Sequence, residues 1–109
     1  MTIIRAESLE ELITRSKEQP VVIFKHSITC PVSAVAYQEM VQFDGEVALV
    51  EVQGARELSR EIERKTGLRH ESPQVIVLDN GKAVWNASHW KVKAEAVEEA
   101  VREAAGTRQ

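Results

Sequence analysis

The sequence predicts a single α/β domain over residues 1–109, in which a small mixed β-sheet carries helices on both faces to give three layers, α/β/α. Three observations predict it. Strand-like apolar runs alternate with amphipathic helical stretches through the first half of the chain. Val21-Val22-Ile23-Phe24 and Val75-Ile76-Val77-Leu78 are continuous apolar runs rich in β-branched residues, the composition of strands buried on both faces. Asp79-Asn80-Gly81-Lys82 is a short polar turn containing Asn-Gly between two apolar runs, which signals a hairpin.

Each element follows in order. Ile3 and Ile4 open a short strand. Ser8 is a helix N-cap, with Glu11 three positions on to complete a capping box. Leu9, Leu12 and Ile13 give that helix one apolar face, and Pro20 closes it. The 21–24 run is a central strand and leads into Lys25-His26-Ser27-Ile28-Thr29-Cys30-Pro31. Proline is favoured at the first helical position, so Pro31 starts a helix and sets Cys30 at its N-cap. Val32, Val35, Ala36 and Met40 are its expected apolar stripe, and Asp44-Gly45 ends the segment. A strand is expected over 47–52, then a helix over 57–65 with Leu58 and Ile62 inward and Gly67 as its terminating residue. The 75–78 strand turns through Asn80-Gly81 into a return strand over 83–85. A last helix starting near Val92 uses Ala94, Val97, Ala100, Val101 and Ala104, and residues 106–109 form a frayed tail. The order β-α-β-α-β-α-β-β-α, parallel crossovers first and a hairpin last, is the thioredoxin architecture.

Composition narrows the partners. Of 109 residues, 43% are hydrophobic and 28% charged, which suits a folded globular domain. The net charge is −3, with no basic run and no basic stripe interleaved with aromatics, so no nucleic-acid partner is expected. The first 13 residues carry Glu7, Glu10 and Glu11 and no long apolar run. Neither a signal peptide nor a membrane span is expected. One cysteine cannot close an internal disulfide, which points to the cytoplasm, and nothing in the pattern demands more than a monomer. Cys/His spacing for a metal site is absent from the sequence, and no tightly bound cofactor is expected.

The chemistry centres on Cys30. The first turn of a helix presents unpaired backbone N–H groups and the positive end of the macrodipole, and both favour a thiolate over a thiol. Lys25 and His26, just upstream, are candidates for further positive potential. Cys30-Pro31-Val32-Ser33 is a C-x-x-S pattern: a second thiol at the last position would resolve a mixed disulfide, and serine cannot. Cys30 can therefore capture a sulfur partner and must await an external thiol. Ser72-Pro73 lies just before the 75–78 strand, where proline is awkward unless it serves a turn, and X-Pro is the main route to a cis peptide bond. Such a bond stands beside the reactive sulfur in thioredoxin-like proteins, and the residue before it offers its backbone to the incoming thiol or peptide. Other residues read blandly. His26 is a strand-end structural residue, His70 a solvated loop residue, Trp85 a half-buried strand residue, and Glu95, Glu98 and Glu99 a solvated helix face. His89 and Trp90 read equally as a packed strand end or as part of the site.

Three segments together resemble a known family. These are 25–33 (KHSITCPVS), 65–74 (KTGLRHESPQ), and Val84-Trp85 with Ser88-His89-Trp90. In that order they are similar to the YtxJ-like redox proteins of the bacillithiol system, the monothiol bacilliredoxins. The resemblance spans roughly residues 3–101. It implies removal of bacillithiol, a cysteinyl glucosaminyl malate thiol, from S-bacillithiolated client proteins, with bacillithiol as co-substrate and Cys30 as the catalytic nucleophile. Thr29, Pro31, Ser33, Ser72 and Pro73 would bind substrate beside it, and Lys25 and His89 would contact the malate or the sugar. Two other readings stay open. A monothiol glutaredoxin-like protein would use another small thiol, but its usual glycine pair after the hairpin is Asn86-Ala87-Ser88-His89 here. A non-catalytic redox sensor or stress adaptor would also carry an exposed, acidic cysteine.

Overall fold

In the computed structural model, which describes residues 1–107, a five-stranded sheet runs in the order β1-β3-β2-β4-β5. The elements are β1 (Thr2–Ile4), α1 (Leu9–Ser16), β2 (Val21–His26), α2 (Pro31–Val41), β3 (Glu46–Glu51), α3 (Arg56–Thr66), β4 (Gln74–Asp79), β5 (Lys82–Ser88), a 3₁₀ turn (His89–Lys91) and α4 (Ala94–Gly106). β3 pairs in parallel with β1 and β2, whereas β4 runs antiparallel to both β2 and β5. The sheet is mixed, and β2 is its central strand.

Strand alternation sorts the core into two clusters. Val22 and Phe24 of β2 join Val75 and Val77 of β4 against Ala36 and Met40 of α2 and Val97 and Ala100 of α4. Val21 and Ile23 join Ile76 and Leu78 on the other face, against Leu9 and Leu12 of α1 and Leu58 and Ile62 of α3. Three layers result, with α1 and α3 on one side and α2 and α4 on the other.

Local chemistry explains several boundaries. The Ser8 hydroxyl accepts the Glu11 backbone N–H at 3.3 Å, the expected half of a capping box. α3 stops at Gly67, whose φ of 73° is the left-handed conformation glycine tolerates at a helix end. Asn80 and Gly81 both have positive φ, 52° and 79°, as a two-residue type I′ hairpin loop requires.

Other expectations need correction. In α2 the inward residues are Ser33, Ala36 and Met40, while Val35 is 48% exposed and Val32 only half-buried. The helix is rotated so that a serine, satisfied by hydrogen bonds, faces inward. β5 is longer than the expected 83–85, because its polar residues Lys82, Asn86 and Ser88 are held by the β4 ladder. Val84 is the extra residue where the ladder register shifts, and it points to solvent. α4 begins at Ala94, and Val92 is a buried extended residue before it. Gly106 belongs to α4; residues 108 and 109 of the expected tail lie outside the described residues. No helix among the described residues is long and apolar enough to cross a membrane.

Candidate active site

Cys30 is the N-cap of α2, in extended conformation, with Pro31 following at the first helical position. The residue is partly exposed. The thiol is pushed down from its ordinary range, first by the backbone N–H of Ser33, then by that of Val32 and by the Ser33 hydroxyl; partial burial opposes them. These are the unpaired donors of a helix's first turn. Lys25 and His26 are not among the causes.

Ser33 ties the site together. It is fully buried, accepts the Ser27 backbone N–H at 3.2 Å, and shares a hydrogen bond of 3.4 Å with the Ser72 hydroxyl. The first bond fixes the loop that carries Cys30, and the second brings the Ser72–Pro73 segment against the first turn of α2. The Ser72–Pro73 peptide is cis, and the Pro73 carbonyl accepts the His89 N–H at 2.9 Å. Thr29 is exposed beside the cysteine, and its hydroxyl accepts Gln53 Nε2 at 3.2 Å. The sequence-expected residues Cys30, Thr29, Pro31, Ser33, Ser72 and Pro73 therefore converge. His89 joins through its backbone, with an exposed side chain and a φ of 55°.

Lys25 departs from expectation. It was expected at the malate or sugar, but it is wholly buried, and Nζ has no hydrogen-bond partner among the described residues. Strand alternation turns it to the α1/α3 face, beside Gln74, its partner on β4. Burial pulls its pKa down, and the Glu63 carboxylate works the other way. His26 is part of an aromatic cluster, its ring centroid 5.6 Å from that of Phe24 and 5.2 Å from that of Tyr37. Burial lowers its pKa, against Glu51. This structural role is the one read from the sequence. His70 is exposed, but its Nδ1 lies 3.3 Å from the Ser59 hydroxyl, and burial and Lys25 depress its pKa.

Gln53 was not singled out in the sequence. It follows β3, donates through Nε2 to Ser27 Oγ at 2.8 Å and to Thr29 Oγ1, and accepts the Ile28 N–H at 3.3 Å through Oε1. One side chain thus holds three consecutive residues of the cysteine loop. The only available signal was the end of a strand parallel to β2, which places the residues just after it at the same end of the sheet as the cysteine loop.

Fold and site together define a thioredoxin-fold protein of thiol redox chemistry with one sulfur at the head of α2. The profile of the monothiol bacilliredoxin family BrxC matches residues 1–97, and the chain belongs to that family. A solved chain described as a candidate oxidoreductase with a thioredoxin fold is similar at 35% identity, with 91% of this chain and 93% of that one covered and a TM-score of 0.81. The reduced thioredoxin pre-protein of Schistosoma mansoni matches at 18% identity over 94% and 98% of the two chains, TM-score 0.67. A thioredoxin variant from Halobacterium salinarum matches at 15% identity over 95% and 91%, TM-score 0.69. The last two show the fold alone.

Proposed function

We propose that this protein removes bacillithiol from S-bacillithiolated client proteins by monothiol exchange at Cys30. The observation that carries the reading is the pairing of an acidified, partly exposed Cys30 with a buried serine, Ser33, where a resolving thiol would stand. The Cys30 thiolate attacks the bacillithiol sulfur of the client's mixed disulfide. A Cys30–bacillithiol disulfide forms, the client sulfur–bacillithiol bond breaks, and the electron pair leaves on the client sulfur, which takes up a proton. A second low-molecular-weight thiol then attacks the bacillithiol sulfur as a thiolate and releases Cys30 as the thiolate. Each step exchanges one disulfide for another, so no further oxidant is needed. The backbone of Ser72 would align the cysteinyl part, and exposed His89 borders the same opening. A thiol with pKa near the ambient pH balances thiolate fraction against nucleophilicity.

The test is transfer. A bacillithiolated client is incubated with the protein and the adduct is followed by mass spectrometry. The adduct is expected to move to Cys30, with transfer abolished in Cys30→Ala. A client that keeps its adduct at stoichiometric protein would instead support a sensor or adaptor, and faster release of glutathione than of bacillithiol would support a glutaredoxin-like role.

A further inference from the structure

Beside the cysteine loop, on the α3 side, lies a cleft of about 370 Å³ lined by Val52, Gln53, Arg56, Ser59, Arg60, Glu63 and His70. Its volume is within the range of small-molecule sites. Its position links the two segments that frame the sulfur. Gln53 on its rim is bonded to Ser27 and Thr29, and His70 on its far wall lies two residues before Ser72.

Its charge is asymmetric. Arg56 and Arg60 stand one helical turn apart on α3, both exposed, and neither has a carboxylate within salt-bridge distance among the described residues. The acid of the cleft, Glu63, accepts the His70 backbone N–H at 2.9 Å through Oε2, and its charge is opposed by that of Lys25. A buried cation lies behind two of the lining residues. The Lys25 side chain is fully buried with no hydrogen-bond partner among the described residues, and it interacts electrostatically with Glu63 and His70, two of the cleft's walls. A buried amine left unpaired costs stability.

We propose that this cleft seats the dicarboxylate end of the small thiol, the malyl group of bacillithiol, with Arg56 and Arg60 as its direct partners and the Lys25 charge behind Glu63 and His70 reinforcing them. The proposal rests on the bacillithiol reading above. Guanidinium forks match carboxylates, and two of them at one rim match a group carrying two. The cysteinyl sulfur then reaches Cys30 across Gln53 and Thr29. Sulfur chemistry and carboxylate recognition thus fall on different elements, α2 and α3.

The test compares two substrates on the full chain, one client carrying bacillithiol and the same client carrying cysteine in mixed disulfide. The readout is the ratio of their second-order transfer rates. The wild type is expected to favour bacillithiol, and Arg56→Gln/Arg60→Gln is expected to cut the ratio by roughly five- to tenfold, the worth of two solvent-exposed charge contacts. Lys25→Met should lower it by a smaller factor. Free malate should slow the wild type and leave the double variant unaffected. A wild-type preference that survives the double substitution overturns the cleft and leaves the bacillithiol reading standing. A wild type with no preference overturns both. Inorganic phosphate competing as well as malate overturns the dicarboxylate assignment.

Discussion

At the residue scale the site depends on how one buried hydroxyl is shared. Ser33 lowers the Cys30 pKa through both its N–H and its hydroxyl, and the same hydroxyl holds Ser27 and Ser72. Alkylation of Cys30 should rise with pH as the thiolate forms and level off above its pKa, with a midpoint below the free-cysteine value of about 8.5. Ser33→Ala removes the hydroxyl and keeps the backbone N–H. Its midpoint should move upward without reaching that of Cys30 in the unfolded chain, and iodoacetamide rates measured across pH would show both. A midpoint unmoved by Ser33→Ala would leave the backbone alone as the cause. The substitution also strands the Ser27 N–H and should cost about 1 kcal/mol of stability. Much of this was legible: a strand, then Cys-Pro, implies a cysteine at a helix head, and Ser-Pro before the next core strand implies its neighbour. The inward turn of Ser33 was not legible, because a serine on a helix carries no hydrophobic signal. Its burial is set by Ser72, 39 positions away.

At the element scale, the ends that carry their own chemistry were readable and those capped from elsewhere were not. Ser8, Gly67 and Asn80-Gly81 each solve a local backbone problem, and each sits where expected. α4 has no such signal. Lys93 at its N-cap makes no side-chain cap, and the Ala94 N–H is instead accepted at 3.0 Å by Glu39 Oε1 of α2, 55 positions away. A carboxylate there also faces the positive end of the α4 dipole. This tertiary cap is invisible to apolar spacing, which points to a start near Val92. Glu39→Ala should lower stability by about 1 kcal/mol, read as a fall in the urea midpoint at unchanged slope. Glu39→Gln keeps an acceptor and should lose only part of it. Equal losses for the two would mean that charge, and not the hydrogen bond, holds α4 to α2.

At the scale of the whole molecule, the two core faces differ in what they tolerate. The α2/α4 face is apolar at every β2 and β4 position that enters its cluster, whereas the α1/α3 face ends, toward the cysteine loop, in Lys25 and Gln74. Gln74 is satisfied by the Arg69 carbonyl and the Glu71 N–H, but Lys25 Nζ has no such partner among the described residues. The groups that face Lys25 are Glu63 from α3 and His70 from the loop before β4. Because folding lowers the Lys25 pKa from its unfolded value of about 10.4, the unfolded chain holds more protons between the two values, and wild-type stability should climb with pH across that window. Below the folded value the penalty is present in full. Lys25→Met fills nearly the same space without an amine, so it should be more stable than the wild type by about 1–3 kcal/mol at pH 7. Its advantage should shrink as pH approaches 10.4, a difference that urea titrations at pH 7 and pH 9.5 would resolve. An advantage that stayed constant with pH would mean that the lysine keeps its proton in the fold as it does in the unfolded chain, and that its cost is that of a buried, unpaired charge. If the same variant also loses preference for bacillithiol, the amine destabilises the fold in the same place where its charge serves the cleft. That trade is the usual mark of a binding site set into a core.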